Sequence, residues 1–259
     1  MIMVASHPLQ YILMKNALYS FLVMFFCVSC SKKADGPKDL ANVIQKPRAI
    51  ADTILAKPTD TIQLIRKYHQ VLILGNSITF TIPDPSIGWE NDWGMAATKP
   101  ENDYVHLLTA KLKLISPDIK INLQQAYSFE ENYATYDYVT SFAAAKALHP
   151  DLIIMRFGEN ISQDATNTSQ FDAVYASLIA YFQDGNPNVH ILAAGSFWGN
   201  PVVDESMKKY SKFVSLSPLL NNPANQAFGQ YPNYGVSIHP SDLGMKEISD
   251  IIWEGLNGL

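Results

Sequence analysis

The most informative segment of the chain reads Val71-Leu72-Ile73-Leu74-Gly75-Asn76-Ser77-Ile78-Thr79. Four apolar residues followed by a glycine are typical of a parallel strand that is buried on both faces. Open α/β proteins bind their ligands beyond the carboxyl ends of such strands, so Ser77 is predicted to lie where this fold places its chemistry. The segment is not the G-x-S-x-G elbow of α/β-hydrolases, because Thr79 stands where the second glycine would be.

Three segments together resemble the sequence blocks of the SGNH/GDSL hydrolases. Gly75-Asn76-Ser77-Ile78-Thr79 resembles the first block, Gly-Asp-Ser-Ile-Thr, with Asn76 in place of the aspartate. Gly158-Glu159-Asn160 resembles the Gly-x-Asn-Asp block, with Ile161 in place of the aspartate. His239-Pro240, followed by the start of a helix, resembles the last block. The three segments occur in the family's order along the chain.

The rest of the chain is consistent with one α/β domain, expected at residues 61–259 of the 259. Apolar or alternating stretches predict three further strands, at residues 119–126, 151–157 and 189–195. Apolar residues at helical spacing predict helices at Tyr104–Leu112, Tyr138–Leu148, Phe171–Phe182, Met207–Phe213 and Asp242–Leu256. The resemblance implies a three-layer α/β/α sandwich of the flavodoxin-like type, with a parallel sheet of about five strands.

The resemblance also implies the roles of the site residues. Ser77 would be the nucleophile, and His239 would be the general base. The oxyanion would be held by the Asn160 side-chain amide, the Ser77 backbone N–H and the backbone N–H of Phe129, which stands where the family normally has a glycine. A serine hydroxyl needs a base at neutral pH, and a histidine with a pKa of about 6.5 is suited to that task.

The family's third catalytic residue, an aspartate three residues before the histidine, is replaced by Val236. Nδ1 of His239 still needs a partner that fixes the tautomer of the ring. The favoured hypothesis is a backbone carbonyl, as in some dyad members of the superfamily. The alternatives are a weak or inactive enzyme, or a distant acid, for which the candidates are Glu159, Asp84 and Asp92. Asp242 is expected to cap the final helix.

The long segment from Phe80 to Asp103 contains Trp89 and Trp93 and is predicted to form one wall of a substrate cleft. Trp198 follows the strand at 189–195, at the same edge of the sheet. These three side chains are predicted to bind substrate, by stacking on a sugar or covering an acyl group, although Trp198 packing only beneath its loop is equally open. We expect an esterase that deacetylates a carbohydrate. The alternatives are a lipid-acting esterase or lysophospholipase, and a catalytically weak carbohydrate-binding surface protein.

The N-terminal residues resemble an export signal. Met14-Lys15-Asn16 precedes an apolar run that is too short for a comfortable membrane span and ends in Val28-Ser29-Cys30. This ending resembles a bacterial lipoprotein signal, in which the cysteine is lipidated. Residues 1–30 are therefore expected to be a lipoprotein-type signal peptide with Cys30 as the lipidation site, and residues 31–60 a tether. A plain secretory signal or membrane anchor is the alternative.

Composition limits the partners of the domain. A net charge of −5 without a dense Lys/Arg cluster argues against nucleic acid. Both cysteines, Cys27 and Cys30, lie in the N-terminal run, and no His/Asp/Glu group has metal-ligand spacing, so neither a metal nor a cofactor is expected. The expected partners are an acylated carbohydrate or other small ester, and a membrane reached through the lipid anchor. The expected location is the periplasm, outer membrane or cell surface of a bacterium.

Overall fold

The computed structural model describes residues 68–163, 168–257 and 259. The predicted signal peptide and tether, residues 1–30 and 31–60, lie outside them. The described strands are β1 Gln70–Gly75, β2 Lys120–Gln125, β3 Leu152–Arg156, β4 His190–Ala194 and β5 Lys212–Val214. The described α-helices are α1 Tyr104–Ile115, α2 Tyr127–Asn132, α3 Tyr138–Ser141, α4 Ala143–Lys146, α5 Thr168–Gln183, α6 Pro201–Tyr210, α7 Tyr234–Ser237 and α8 Asp242–Leu256. None of these helices has the length and apolarity that crossing a membrane requires.

The strands form one sheet in the order β2-β1-β3-β4-β5, and every neighbouring pair is parallel. The chain winds outward from β1 to β2, then returns to the other side of β1 to add β3. Such a change of direction opens a crevice at the carboxyl ends of the two central strands. Ser77 follows β1 and Asn160 follows β3, so both residues lie at this crevice.

Helices cover both faces of the sheet. In β1, Val71 and Ile73 pack on the side of α1 and α8, whereas Leu72 and Leu74 pack on the side of α2, α5 and α6. All four side chains are at most 1% exposed, which explains why the strand is apolar without alternation. Burying each of them contributes about 2 kcal/mol. The predicted three-layer α/β/α sandwich with a five-stranded parallel sheet is confirmed.

Two of the predicted helices require correction. The prediction Met207–Phe213 is wrong in its bounds, because α6 begins earlier and Lys212–Val214 form the edge strand β5. The start of α6 has a clear local cause: Asn200 caps the helix and Pro201 occupies its first turn, where a missing N–H costs nothing. The prediction Tyr138–Leu148 is divided in the structure into the short helices α3 and α4.

Two residues at helix starts, Asp103 and Asp242, contact the segment from Phe80 to Asp103 or its end. Asp103 caps α1 as predicted, accepting a hydrogen bond from the His106 N–H. Ser241, and not Asp242, caps α8. The Asp242 carboxylate instead accepts hydrogen bonds from the backbone N–H and hydroxyl of Thr98, at 2.8 and 2.6 Å. This corrects the prediction for Asp242, which fastens the segment before α1 to the start of α8.

Candidate active site

Ser77 and His239, 162 residues apart in the chain, meet at the carboxyl edge of the sheet. Ser77 Oγ lies 2.9 Å from Nε2 of His239. On the other side of the ring, Nδ1 lies 2.7 Å from the Gly235 carbonyl oxygen. A carbonyl oxygen only accepts, so the neutral ring carries its proton on Nδ1 and leaves Nε2 to accept from the serine hydroxyl. This is the geometry of a nucleophile hydrogen-bonded to its general base.

The end of helix α7 explains why the Gly235 carbonyl is available. In a continuing α-helix it would accept from the backbone N–H of His239, four residues on. That N–H instead bonds to the Val236 carbonyl at 3.0 Å, which tightens the last turn. The Gly235 carbonyl is thus left at the helix end, where a side chain can satisfy it. The structure therefore has the backbone partner that was the favoured hypothesis.

The acids considered as partners for His239 have other contacts. Glu159 forms an ion pair with Arg156, with 2.8 Å between their charged atoms. Asp84 accepts hydrogen bonds from the backbone N–H and hydroxyl of Ser86, at 3.0 and 2.6 Å. Asp92 is exposed to solvent. The Gly235 carbonyl is the partner that the structure places at Nδ1.

A small apolar cluster stands behind the long loop, and we call it the loop core. It consists of Trp89, Met95, Ala96, Ala227 and Val236. Val236 is 0% exposed, so the side chain that replaces the family's aspartate faces this cluster. In this chain the side chain at position 236 therefore does not orient His239.

The three tryptophans that were predicted to bind substrate occupy different environments. Trp89 is 0% exposed in the loop core, which corrects the expectation for it, because a buried ring has no free face. Trp93 is half-buried and donates its indole N–H to the Ala97 carbonyl at 2.9 Å. Trp198 is half-buried and meets the His239 ring at right angles, with 5.1 Å between ring centroids. Trp198 thus contacts the base of the predicted pair.

A pocket of about 640 Å³ opens beside Ser77 and Asn160, a volume typical of small-molecule sites. One side, which we call the pocket wall, consists of Thr81, Ile82, Pro83, Asp84, Ile87 and Met95. Gln125, Tyr127 and Ser128 line the pocket as well. The segment from Phe80 to Asp103 therefore forms one wall of the pocket, as the sequence predicted.

Beneath Ser77 lies a buried polar network, which we call the site floor. It consists of Asn76, Glu130, Arg156, Glu159 and Asn160. The Arg156 and Glu159 side chains are 0% and 1% exposed. Asn76 donates to Glu130 at 2.7 Å and to Glu159 at 3.1 Å, and accepts from Arg156 at 3.3 Å. Buried charges persist only when they are paired and hydrogen-bonded in this way.

The charge of the site floor accounts for Asn76 in place of the family's aspartate. Glu159 is already paired with Arg156 and Glu130 is bonded to Asn76, so an aspartate here would be a third acid in a network with a single cation. It would also lose the two hydrogen bonds that the Asn76 amide donates, because a carboxylate has no donor when it is ionised. The amide is therefore the side chain that this network requires.

The turn after β3 places Asn160 at the pocket. Gly158 has a φ of +117°, a conformation open to glycine, and a Cβ there would lie 3.1 Å from the Ser196 Cβ. The Asn200 amide holds the turn from below by donating to the carbonyls of Gly158 and Ile161. Ile161, which replaces the family's second aspartate, is buried in the core on the α5 side. Asn160 itself donates its side-chain N–H to Glu130 at 2.6 Å.

Phe129 lies in the first turn of α2, where backbone N–H groups have no partner within the helix. Its ring is completely buried and packs against Tyr136, Phe142 and Phe157. A helical backbone suits any side chain, and Phe129 is not among the described non-glycine residues with positive φ. The position therefore does not require the glycine that the family normally has.

Burial changes the proton affinities of two site residues in opposite directions. It lowers the pKa of His239 to about 4, and the nearby Arg156 charge acts in the same direction. Burial also raises the pKa of Glu130 to about 7, assisted by the charge of Glu159. At neutral pH, His239 is therefore uncharged, as a general base must be.

Sequence reasoning missed the site floor and the aromatic residue at the pocket. Glu130 lies in a polar Glu-Glu pair that resembles a solvated helix surface, and Tyr127 precedes it. The available signal was Arg156, which stands inside an otherwise apolar strand and must have a buried counter-charge. Within the part of the chain that the structure describes, no group of His, Cys, Asp and Glu side chains could hold a metal ion.

No protein-family model matches the chain, and neither does any curated protein sequence. Solved structures with a similar fold include a two-domain esterase active on acetylated mannans, which is 14% identical with a TM-score of 0.48; the match covers 73% of this chain and 48% of that chain. A psychrotrophic esterase from Pseudoalteromonas sp. is 12% identical, with a TM-score of 0.48 and coverage of 73% and 97%. This chain spans about half the length of the two-domain esterase.

A salicylyl-acyltransferase from a tetracycline biosynthetic pathway is also similar. It is 16% identical, with a TM-score of 0.49, and the match covers 74% of this chain and 55% of that chain.

Proposed function

We propose that the protein is a serine esterase that hydrolyses ester bonds through Ser77 and His239. The observation that carries this proposal is the continuous contact from the Ser77 hydroxyl to Nε2 of His239, at 2.9 Å, and from Nδ1 to the Gly235 carbonyl, at 2.7 Å. A nucleophile, a base and a group that orients the base are the three parts that nucleophilic catalysis at a serine requires.

In the first half of the reaction, Ser77 Oγ attacks the ester carbonyl carbon and its proton passes to Nε2 of His239. The tetrahedral intermediate then collapses, and His239 gives this proton to the departing alcohol. A water molecule repeats the sequence on the acyl-enzyme, which releases the acid and restores Ser77. The Gly235 carbonyl keeps the proton on Nδ1 throughout and so preserves the reactive tautomer.

The negative oxygen of the intermediate would be held by three donors: the Asn160 side-chain amide and the backbone N–H groups of Ser77 and Phe129. Asn160 and Ser77 line the same pocket. One such donor contributes about 3 kcal/mol to lowering the barrier. The phenylalanine side chain at position 129 does not alter a backbone donor, but Phe129 is 0% exposed and does not line the pocket, so we assign the larger part of this role to Asn160 and Ser77.

We further propose that the leaving group is a carbohydrate and the acyl group is short, most simply acetyl. The eleven residues that line the pocket include the carboxylate of Asp84 and no Lys, Arg or His. Such a lining suits a neutral, hydroxyl-rich molecule better than the phosphate of a phospholipid, which favours basic partners. Tyr127 is 43% exposed at the pocket and offers an aromatic face to a sugar ring.

An ester panel tests the proposal with the purified full-length protein. We expect hydrolysis of p-nitrophenyl acetate, with rates that fall for butyrate and octanoate, and acetate release from acetylated oligosaccharides. Replacing Ser77 with Ala should lower kcat by at least about 10⁴-fold, as in other serine hydrolases. An unchanged rate in that variant would refute the mechanism. Rates that rise with acyl length would instead support a lipid-acting esterase.

For location, we propose an exported lipoprotein that is anchored to a bacterial membrane through Cys30. The support is the lipoprotein-like ending Val28-Ser29-Cys30 after a charged and apolar start. Metabolic labelling with a fatty acid should mark the wild-type protein and leave the Cys30→Ala variant unmarked. Equal labelling of the two proteins would overturn the assignment of Cys30.

A further inference from the structure

Glu130 is a buried carboxylate for which the acylation steps have no use. It lies in α2, is 1% exposed, and reaches the turn after β3. Its Oε2 accepts from the Asn160 side-chain amide at 2.6 Å and from the Asn160 backbone N–H at 3.3 Å. Its Oε1 accepts from the Gly158 backbone N–H at 2.6 Å. One side chain therefore holds the turn that carries Asn160 at three points.

The chemistry of a carboxylate decides which way the Asn160 amide faces. Above pH 7, where most Glu130 side chains are ionised, the carboxylate only accepts, so the amide must present Nδ2 to Glu130 and turn Oδ1 away. Nδ2 carries two hydrogens, and Glu130 takes one of them. The second is left for a group in the pocket that Asn160 shares with Ser77. A rotated amide would bring Oδ1 toward Glu130, where two acceptors repel.

We propose that Glu130 is a positioning residue of this esterase: it fixes the Asn160 amide in the orientation from which Nδ2 donates to the oxyanion. The inference rests on the proposed function. Glu130 is linked to the rest of the site floor, because Asn76 also donates to its Oε2, at 2.7 Å, and in turn accepts from Arg156. The carboxylate thus orients the donor and is itself held in place by Asn76.

Glu130→Gln is the direct test, since it keeps the shape and replaces one oxygen with a donor. The Gln amide would point its N–H groups at a backbone N–H or at the amides of Asn76 and Asn160, and Asn160 could then rotate. We expect kcat for p-nitrophenyl acetate to fall about tenfold to a hundredfold, toward the loss expected for an oxyanion donor. KM should stay within about twofold, because the ground-state ester needs no such donor.

A double-mutant cycle separates positioning from general damage. If Glu130 acts through Asn160, Glu130→Gln combined with Asn160→Ala should be no more than about threefold slower than Asn160→Ala alone. If the kcat losses of the two single variants multiply in the double variant, the proposal is overturned. Glu131→Gln is the matched control, since Glu131 is the exposed neighbour on the same helix and contacts Tyr127. It should keep the wild-type kcat.

Glu130→Asp protects the test against a folding defect, because it keeps the charge and withdraws the carboxylate by one methylene group. It should show the same non-additivity with Asn160→Ala. Unfolding of both Glu130 variants would make the residue a requirement of the fold and overturn the positioning role. The proposed function is judged separately: if Ser77→Ala is inactive while the cycle is multiplicative, only the role of Glu130 fails.

Discussion

The site floor and the pocket wall meet at Ser77, yet they are built in contrasting ways. The floor is polar and buried: Arg156 and the Glu159 side chain are inaccessible, and Asn76 bonds to three charged neighbours. The wall is an exposed loop, with Ile82 77% exposed. It rests on the apolar loop core and is tied to the nucleophile by a bond from the Met95 N–H to the Ser77 carbonyl.

This contrast separates catalysis from substrate choice. A network in which each member bonds to several others holds reacting groups in one arrangement, because moving any member leaves buried polar groups unpaired. An exposed loop with apolar support tolerates a change of surface side chain at little cost. We therefore expect substitutions in the floor to affect stability and kcat, and those on the wall to affect the preference among esters.

The largest effect is expected for Asn76→Asp, which restores the residue usual in the family. The third acid in the floor should lower the free energy of unfolding by about 3 to 5 kcal/mol, as when a buried charge is left uncompensated. Denaturant unfolding measures this. Asn132→Asp, at an exposed position on α2, is the control and should be nearly neutral. A more stable or more active Asn76→Asp protein would contradict our account of the floor.

A smaller loss is expected for Val236→Asp, which restores the aspartate of the family's triad. Because position 236 faces the loop core, the new carboxyl would be buried among apolar groups and should cost about 2 to 5 kcal/mol of stability. We expect no gain in kcat, since Nδ1 already has the Gly235 carbonyl. Val139→Asp is the control at a valine that is 53% exposed. Faster turnover in Val236→Asp would show that the carbonyl is a poor substitute.

The acid limb of the pH profile of kcat/KM tests the burial of His239, which lies between the site floor and the pocket wall. With the pKa of His239 lowered from 6.5 to about 4, protonation of His239 should halve kcat/KM near pH 4, after a partial decline near pH 7 where Glu130, with its pKa raised to about 7, becomes protonated. Between pH 6.5 and 4, His239 is protonated in the unfolded chain but not in the folded protein. His239 therefore lowers the free energy of unfolding as the pH falls through this window. A half-maximum near pH 6.5 that persists in Glu130→Gln would place His239 in contact with solvent.

The smallest effect is expected on the wall. Ile82→Ala removes an exposed side chain, so the free energy of unfolding should change by no more than about 0.5 kcal/mol. For p-nitrophenyl acetate, kcat/KM should stay within about twofold, whereas the ratio of octanoate to acetate rates should shift more, since a long chain reaches the rim. A large loss with acetate would mean that the wall takes part in catalysis.

Much of the fold was predictable because its signals are local. The apolar run before Gly75 and the strand-helix alternation indicate a parallel sheet, and the Asn200-Pro201 pair marks the start of α6. Strand β5 was missed because three residues carry little periodicity. Asp103 was identifiable as a cap from its position before an apolar helical pattern.

The site was predictable only where a sequence block marks a residue. Ser77, Asn160 and His239 each lie in a recognisable segment, and the structure brings Ser77 and His239 together. Glu130 and Trp89 could not be placed, since burial of a glutamate in a polar turn, or of a tryptophan in a loop, depends on contacts with distant segments. The Gly235 carbonyl was equally hidden, because a backbone group has no signature in the sequence.

The central claim is that Ser77 is activated by a histidine without a carboxylate partner, and labelling by a fluorophosphonate probe tests it most directly. The probe would be incubated with the purified full-length protein, with His239→Ala as the control, and the modified residue found by mass spectrometry. We predict labelling at Ser77 that falls at least about tenfold in the control. No labelling of the folded protein, or labelling that is indifferent to His239, would contradict the account and favour a carbohydrate-binding protein without catalysis.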